Sequence, residues 1–165
     1  MAEQLWAPWR FDYVKSADHE RKGGCIFVDL PALQNDRENL ILHRGATAFV
    51  ILNKYPYTSG HVMVAPYRHT AEIGDLADEE LLEVQQLIRD AVGWIKAAFR
   101  PDGFNIGLNI GTAGGAGIPS HLHWHIVPRW NGDTNYMTSV GGVRVIPQSL
   151  ETTYDLLEQA KNGGS

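Results

Sequence analysis

Apolar residues along this 165-residue chain follow two periods. Leu81, Val84, Leu87, Ile88, Ala91, Val92, Ile95 and Phe99 recur at spacings of three and four. That spacing predicts an amphipathic helix of about 20 residues with one buried face, stopped by Pro101-Asp102-Gly103. Elsewhere, short apolar runs between turn residues predict strands. Leu40–His43 and Ala48–Asn53, split by Arg44-Gly45-Ala46, read as a hairpin, and His61–Ala65 follows a turn carrying Pro56 and Gly60. Phe104–Ile110 and His121–Arg129 supply a fourth and a fifth strand, and Ser149–Ala160 a short final helix. Several antiparallel strands with one main helix inserted make an α+β fold.

The ends differ in character. Leu5-Trp6-Ala7-Pro8-Trp9-Arg10 is aromatic, so residues 1–22 read as an extension packed on the body or on a partner. Cys25-Ile26-Phe27-Val28 then opens the compact part, and residues 161–165 read as a flexible tail. The whole fits one domain, which at this length buries roughly two-thirds of its unfolded surface without a disulfide or metal. With 44% hydrophobic and 20% charged residues the composition is that of an ordinary globular protein. A net charge of −5 argues against nucleic acid as a partner. A single cysteine, a start without an apolar leader and no long apolar run lead to the expectation of a cytoplasmic chain that does not enter a membrane.

Candidate chemistry is concentrated in His121-Leu122-His123-Trp124-His125-Ile126-Val127, where histidines alternate with apolar residues. Strand side chains switch faces at each residue, so all three imidazoles are expected on one face of one strand, as a reactive surface. A metal site is one alternative, because imidazole is a common ligand, but no carboxylate or thiol in the strand or its approach completes a ligand set. Neutral imidazole is also a nucleophile at physiological pH, and the middle residue, His123, has a neighbour on each side to orient it. The preceding Asn109–Ser120 segment includes Gly111, Gly114, Gly115 and Gly117. Such backbone can form an anion-binding concavity, which next to three histidines points to phosphate.

These residues resemble the histidine triad (HIT) family, whose motif is His-φ-His-φ-His-φ-φ with φ apolar. Leu5–Arg10, Asn53 through Gly60-His61-Val62-Met63-Val64, and Gly114 through Pro128-Arg129-Trp130 with Gly132-Asp133-Thr134-Asn135 are similar to the bacterial diadenosine tetraphosphate phosphorylase-like branch. The resemblance implies a homodimer with two sheets joined edge to edge, each protomer holding a nucleotide. It implies His123 as the nucleophile that forms a nucleotidyl-histidine, His121 orienting it, and His125 and the upstream His61 at the phosphates. It places Asn53 at the ribose hydroxyls, Ile51 and Met63 beside the base, and Asn109, Gly117, Ser120 and Trp130 among the nucleotide-binding positions. The implied reaction cleaves a dinucleoside polyphosphate, with inorganic phosphate or water as acceptor and magnesium accompanying the substrate. A hydrolase of nucleoside phosphoramidates or adenylyl conjugates, and a non-catalytic nucleotide sensor, are the alternatives. His19 and His69 carry no role in this reading, and Asn53 has the simpler alternative of starting a turn.

Some relatives hold a structural zinc through Cys-x-x-Cys. Here Val28 stands where the second thiol would be, and with His43 as the only further candidate the closed set is incomplete, so no structural zinc is expected.

Overall fold

A computed structural model describes residues 24–133 and 148–163. The elements are α1 (Ile26–Ala32), β1 (Ile41–Arg44), β2 (Ala48–Leu52), β3 (Val62–Pro66), a short 3₁₀ turn (Ile73–Asp75), α2 (Asp78–Phe99), β4 (Gly103–Leu108), β5 (Trp124–Arg129) and α3 (Leu150–Gly163). The strands form one antiparallel sheet in the order β1-β2-β3-β5-β4. The α+β expectation is borne out, with each expected strand and both expected helices present. The N-terminal extension, His19, Thr134 and Asn135 lie outside the described residues.

The period-2 alternation divides the sheet into two faces. Leu42, Val50, Leu52, Val62, Val64, Trp124 and Ile126 pack against Val84, Leu87, Ile88, Ala91 and Ile95 of α2, which makes the main core. The opposite face carries Ile41, Phe49, Ile51, Met63 and Ala65, covered by Cys25 and Phe27 at the start of α1. α2 begins where Glu80 accepts the backbone N–H of Ala77 at 2.9 Å and sits with Asp78 and Glu79 at the positive end of the helix. It ends where Arg100 takes a left-handed conformation, φ 47°, ahead of Pro101.

Three differences from the sequence reading have physical causes. The Cys25–Val28 segment, given no element from sequence, forms α1 although Pro31 lies inside it. Its C-terminal carbonyls find side-chain donors, with Asn39 Nδ2 on the Leu30 carbonyl at 3.2 Å and Arg44 Nη2 on that of Pro31 at 2.9 Å. The final helix runs to Gly163, three residues into the expected tail, because the Lys161 ammonium donates to the Leu42 carbonyl at 2.6 Å. β5 starts at Trp124 rather than His121. The β3–β5 ladder ends at the Val64–Trp124 pair, and Pro66, with no N–H, cannot extend it. Leu122 N–H instead donates to the Thr70 carbonyl at 2.8 Å.

The β1–β2 turn is fastened to α2 by one carboxylate. Glu83 accepts the N–H groups of Ala46 at 2.7 Å, Thr47 at 2.5 Å and Ala48 at 3.1 Å, together with the Thr47 hydroxyl. Gly45 is required beside it, since a Cβ there would stand 2.8 Å from the Ala48 carbonyl oxygen. Hydrogen bonds to a charged acceptor contribute more than neutral ones, so Glu83→Ala should lower stability by about 2–3 kcal/mol in urea unfolding with an unchanged slope. A loss below about 0.5 kcal/mol, the size of an ordinary surface substitution, would contradict this anchoring role.

Candidate active site

The face opposite α2 gathers the histidines. Sheet register sets Ile51 beside Met63, Met63 beside His125, and His125 beside Gly107, so one row across four strands runs from two apolar side chains through an imidazole to a glycine. Apolar Met63 therefore lies beside His125 with Ile51 one strand beyond it, and Gly107 adds no side chain to the other end of the row. The alternation also holds through the lead-in to β5: Leu122 joins the α2 core, and the His123 and His125 rings meet edge to face at 5.0 Å.

The triad is not an exposed surface. His121 and His123 are 1% and 2% exposed, and only His125 is half-buried. α1 accounts for this, because the Phe27 ring stacks on His123 at 4.8 Å and tilts against His121 at 5.2 Å. Burial of imidazoles is tolerable where their nitrogens are paired, and here each ring has defined partners. His121 Nε2 donates to the Pro66 carbonyl at 2.9 Å, and its Nδ1 faces Cys25 Sγ at 3.4 Å. His123 Nδ1 donates to the His121 carbonyl at 2.8 Å, which leaves the lone pair of the neutral ring on Nε2.

A second chain fixes the other two rings. Tyr57 N–H donates to His61 Nδ1 at 3.1 Å, so the proton of His61 is on Nε2. That proton is donated to His125 Nδ1 at 3.0 Å, and neutral His125 consequently carries its own proton on Nε2. The Tyr57 ring lies 4.7 Å from that of His61 and 6.0 Å from that of His125. Burial, and next the positive charge of a protonated His123, push His125 down to about 4 from its ordinary 6.5. It is held as a neutral imidazole with one fixed donor.

Other expected residues are distributed unevenly. Asn53 is buried next to the histidines, with Nδ2 3.3 Å from His61 Nδ1, and its Oδ1 accepts the N–H of Tyr55 at 2.9 Å, so it also starts the turn. Asn109 reaches the glycine loop by a long contact, Nδ2 to the Gly115 carbonyl at 3.5 Å. Within that loop the N–H groups of Gly115 and Ala116 are taken by the carbonyls of Thr112 and Gly111, so these two amides are turn donors rather than an anion cradle. Gly114 is needed for the turn itself, because a Cβ there would lie 2.3 Å from the Ile110 carbonyl oxygen. Gly117 and Ser120 are half-buried on the approach to His121. Trp130 follows the last residue of β5, with its N–H on Asp133 at 3.2 Å, and at about 3.3 Å per residue it lies roughly 16 Å along the chain from His125.

Cys25, Phe27, Tyr57 and His69 were missed as site residues. His69 stacks on His121 at 5.2 Å, and Cys25, His69 and His121 hold their donor atoms within 4.8 Å of one another. His43 does not join them: its ring lies edge-on to Trp94 of α2 at 5.7 Å. The one usable sequence signal was the row of histidines itself, since whatever packs beside it must supply partners for buried nitrogens. Among the described residues no carboxylate completes the three donors, and the residue three past Cys25 is Val28, which cannot ligate. The set does not fit a closed four-ligand zinc site.

The face of the sheet opposite α2 thus presents a row of histidines whose tautomers are set by main-chain partners and by one another. The HIT domain model matches residues 34–132, and the chain belongs to the HIT family. It is 43% identical over 161 residues to the Mycobacterium tuberculosis protein named AP-4-A phosphorylase, covering 94% of this chain and 82% of that one. In structure it is similar to a hypothetical histidine triad nucleotide-binding protein from Sulfolobus tokodaii, with TM-score 0.67, 25% identity, and 84% and 93% of the two chains covered. It is also similar to a Zn-bound histidine triad family protein from Mycobacterium smegmatis, with TM-score 0.63, 27% identity, and 75% and 84% covered.

The unfolded chain protonates His125 near pH 6.5 and the folded chain only near 4, so the stability held in its neutral form is complete above about 6.5 and is lost as pH falls toward 4. His125→Gln should flatten the dependence of unfolding free energy on pH across that interval relative to the wild type. Parallel curves for the two proteins would show that His125 titrates alike in both states.

Proposed function

We propose that this protein cleaves diadenosine tetraphosphate or a close dinucleoside polyphosphate through a nucleotidyl-histidine at His123, with inorganic phosphate as the preferred acceptor. The observation that carries the reading is the bond from His123 Nδ1–H to the His121 carbonyl, because it leaves the lone pair of the neutral ring on Nε2, the atom that serves as the nucleophile. Nε2 attacks the α-phosphorus, a P–N bond forms, and the P–O bond to the departing nucleoside polyphosphate breaks with its electron pair on oxygen. The fixed Nε2–H of His125 donates to the charge that develops on the phosphate oxygens. A phosphate oxygen then attacks the same phosphorus, and the P–N electron pair returns to His123, releasing a nucleoside diphosphate. Water in that step would release the monophosphate.

Ile51 and Met63 serve as the apolar bed for the base, and Asn53 meets the ribose. Asn109, Gly117 and Ser120 line the phosphate side, and magnesium travels with the substrate charge rather than with a protein ligand set. The similarity to the M. tuberculosis protein named AP-4-A phosphorylase supports this substrate class. A homodimer joined through β4 is supported by the position of that strand at the sheet edge and by Ile106, 48% exposed on it. A reducing, cytoplasmic setting is in keeping with a thiol used as a hydrogen-bond donor.

With diadenosine tetraphosphate and millimolar phosphate, ADP and ATP are the expected products by chromatography. His123→Ala should lose several decades of turnover while still binding nucleotide, and Asn109→Ala should weaken the phosphate dependence more than adenylyl-enzyme formation. AMP with ATP at every phosphate concentration would make the protein a hydrolase, and near-normal turnover by His123→Ala would overturn the mechanism.

A further inference from the structure

Cys25 occupies the N-cap of α1, the position where side chains ordinarily satisfy orphan helix N–H groups, yet it makes no such cap. Its side chain turns away to His121, and its own N–H is held by Asp29 Oδ2 at 3.0 Å. Cys25 is 5% exposed. His121 Nε2 must carry a hydrogen to reach the Pro66 carbonyl, so its neutral ring presents a lone pair at Nδ1, and Cys25 S–H is the donor 3.4 Å away. The ring of His121 is thereby fixed at both nitrogens.

Both ring nitrogens of His121 are engaged by Pro66 and Cys25, and what His121 offers His123 is its main-chain carbonyl, 2.8 Å from His123 Nδ1. We infer that Cys25 is a positioning residue: its thiol holds the His121 ring, and with it the carbonyl that aims His123 Nε2 at phosphorus. The thiol thus fastens His121 directly, in a chain whose three clustered donors do not make a closed metal site. The inference rests on the covalent function proposed above.

Rapid-quench measurement of adenylyl-enzyme formation from diadenosine tetraphosphate, beside nucleotide affinity, separates the possibilities. Cys25→Ser keeps a donor and should retain at least about a third of the wild-type rate. Cys25→Ala and Cys25→Val lose the donor, the second with volume retained, and both should slow adenylylation about tenfold, the factor one such hydrogen bond supports, with nucleotide affinity unchanged. Equal rates in all four proteins, a serine variant as slow as alanine, or a loss confined to affinity would overturn the inference. A wild-type rate that falls on chelation and returns with zinc would also overturn it, since Cys25 would then act through a metal. Absence of any adenylyl-enzyme in the wild type would instead overturn the covalent function, and the inference with it.

Discussion

The structure depends on the placement of three side chains, Leu122, Trp124 and Ile126, in the core beneath α2. Burying an apolar side chain of this size is worth roughly 1.5–3 kcal/mol, and a slip of one residue would put imidazoles, whose ring nitrogens need partners, into that apolar core. The even positions therefore hold the register, and the odd positions, His121, His123 and His125, are carried to the other face without any interaction of their own deciding it. Pro66 completes the constraint. It ends the ladder with β3, releases His121 and Leu122 from strand pairing, and offers its carbonyl to the His121 ring.

From that placement the protonation pattern follows by backbone hydrogen bonds. A carbonyl acceptor fixes the proton of His123 on Nδ1, and an amide donor fixes that of His61 on Nε2, from which the tautomer of His125 is read. The main chain cannot change its donor or acceptor character with pH, so the lone pair of His123 and the donor of His125 are set before any ligand arrives. Burial then keeps His125 neutral over the range in which an ordinary histidine would charge.

Much of this was legible in the sequence because strand alternation and helix periodicity are local. The helix Asp78–Phe99 was recognisable from its stripe of apolar residues, and the histidine face from Leu122, Trp124 and Ile126 between the imidazoles. What was not legible came from residues distant in the chain. Cys25 lies 96 positions from His121, and a thiol gives no periodic signal that tells which nitrogen it will meet. Phe27 read as the opening of the compact part, and its stacking on His123 depends on α1, which Arg44 and Asn39 hold in place by capping its carbonyls. The exposed triad expected from alternation failed for the same reason: alternation gives the face and says nothing of what covers it.

The central claim, that backbone hydrogen bonds preset the histidine tautomers, is tested most directly by ¹⁵N chemical shifts of ring nitrogens in histidine-labelled protein without ligand, assigned by single substitutions, between about pH 6.5 and 8. The expected spectra show protonated Nδ1 and lone-pair Nε2 for His123, and the reverse for His61 and His125, unchanged across that range. Averaged shifts typical of exchanging tautomers, or a His123 with its proton on Nε2, would contradict the account.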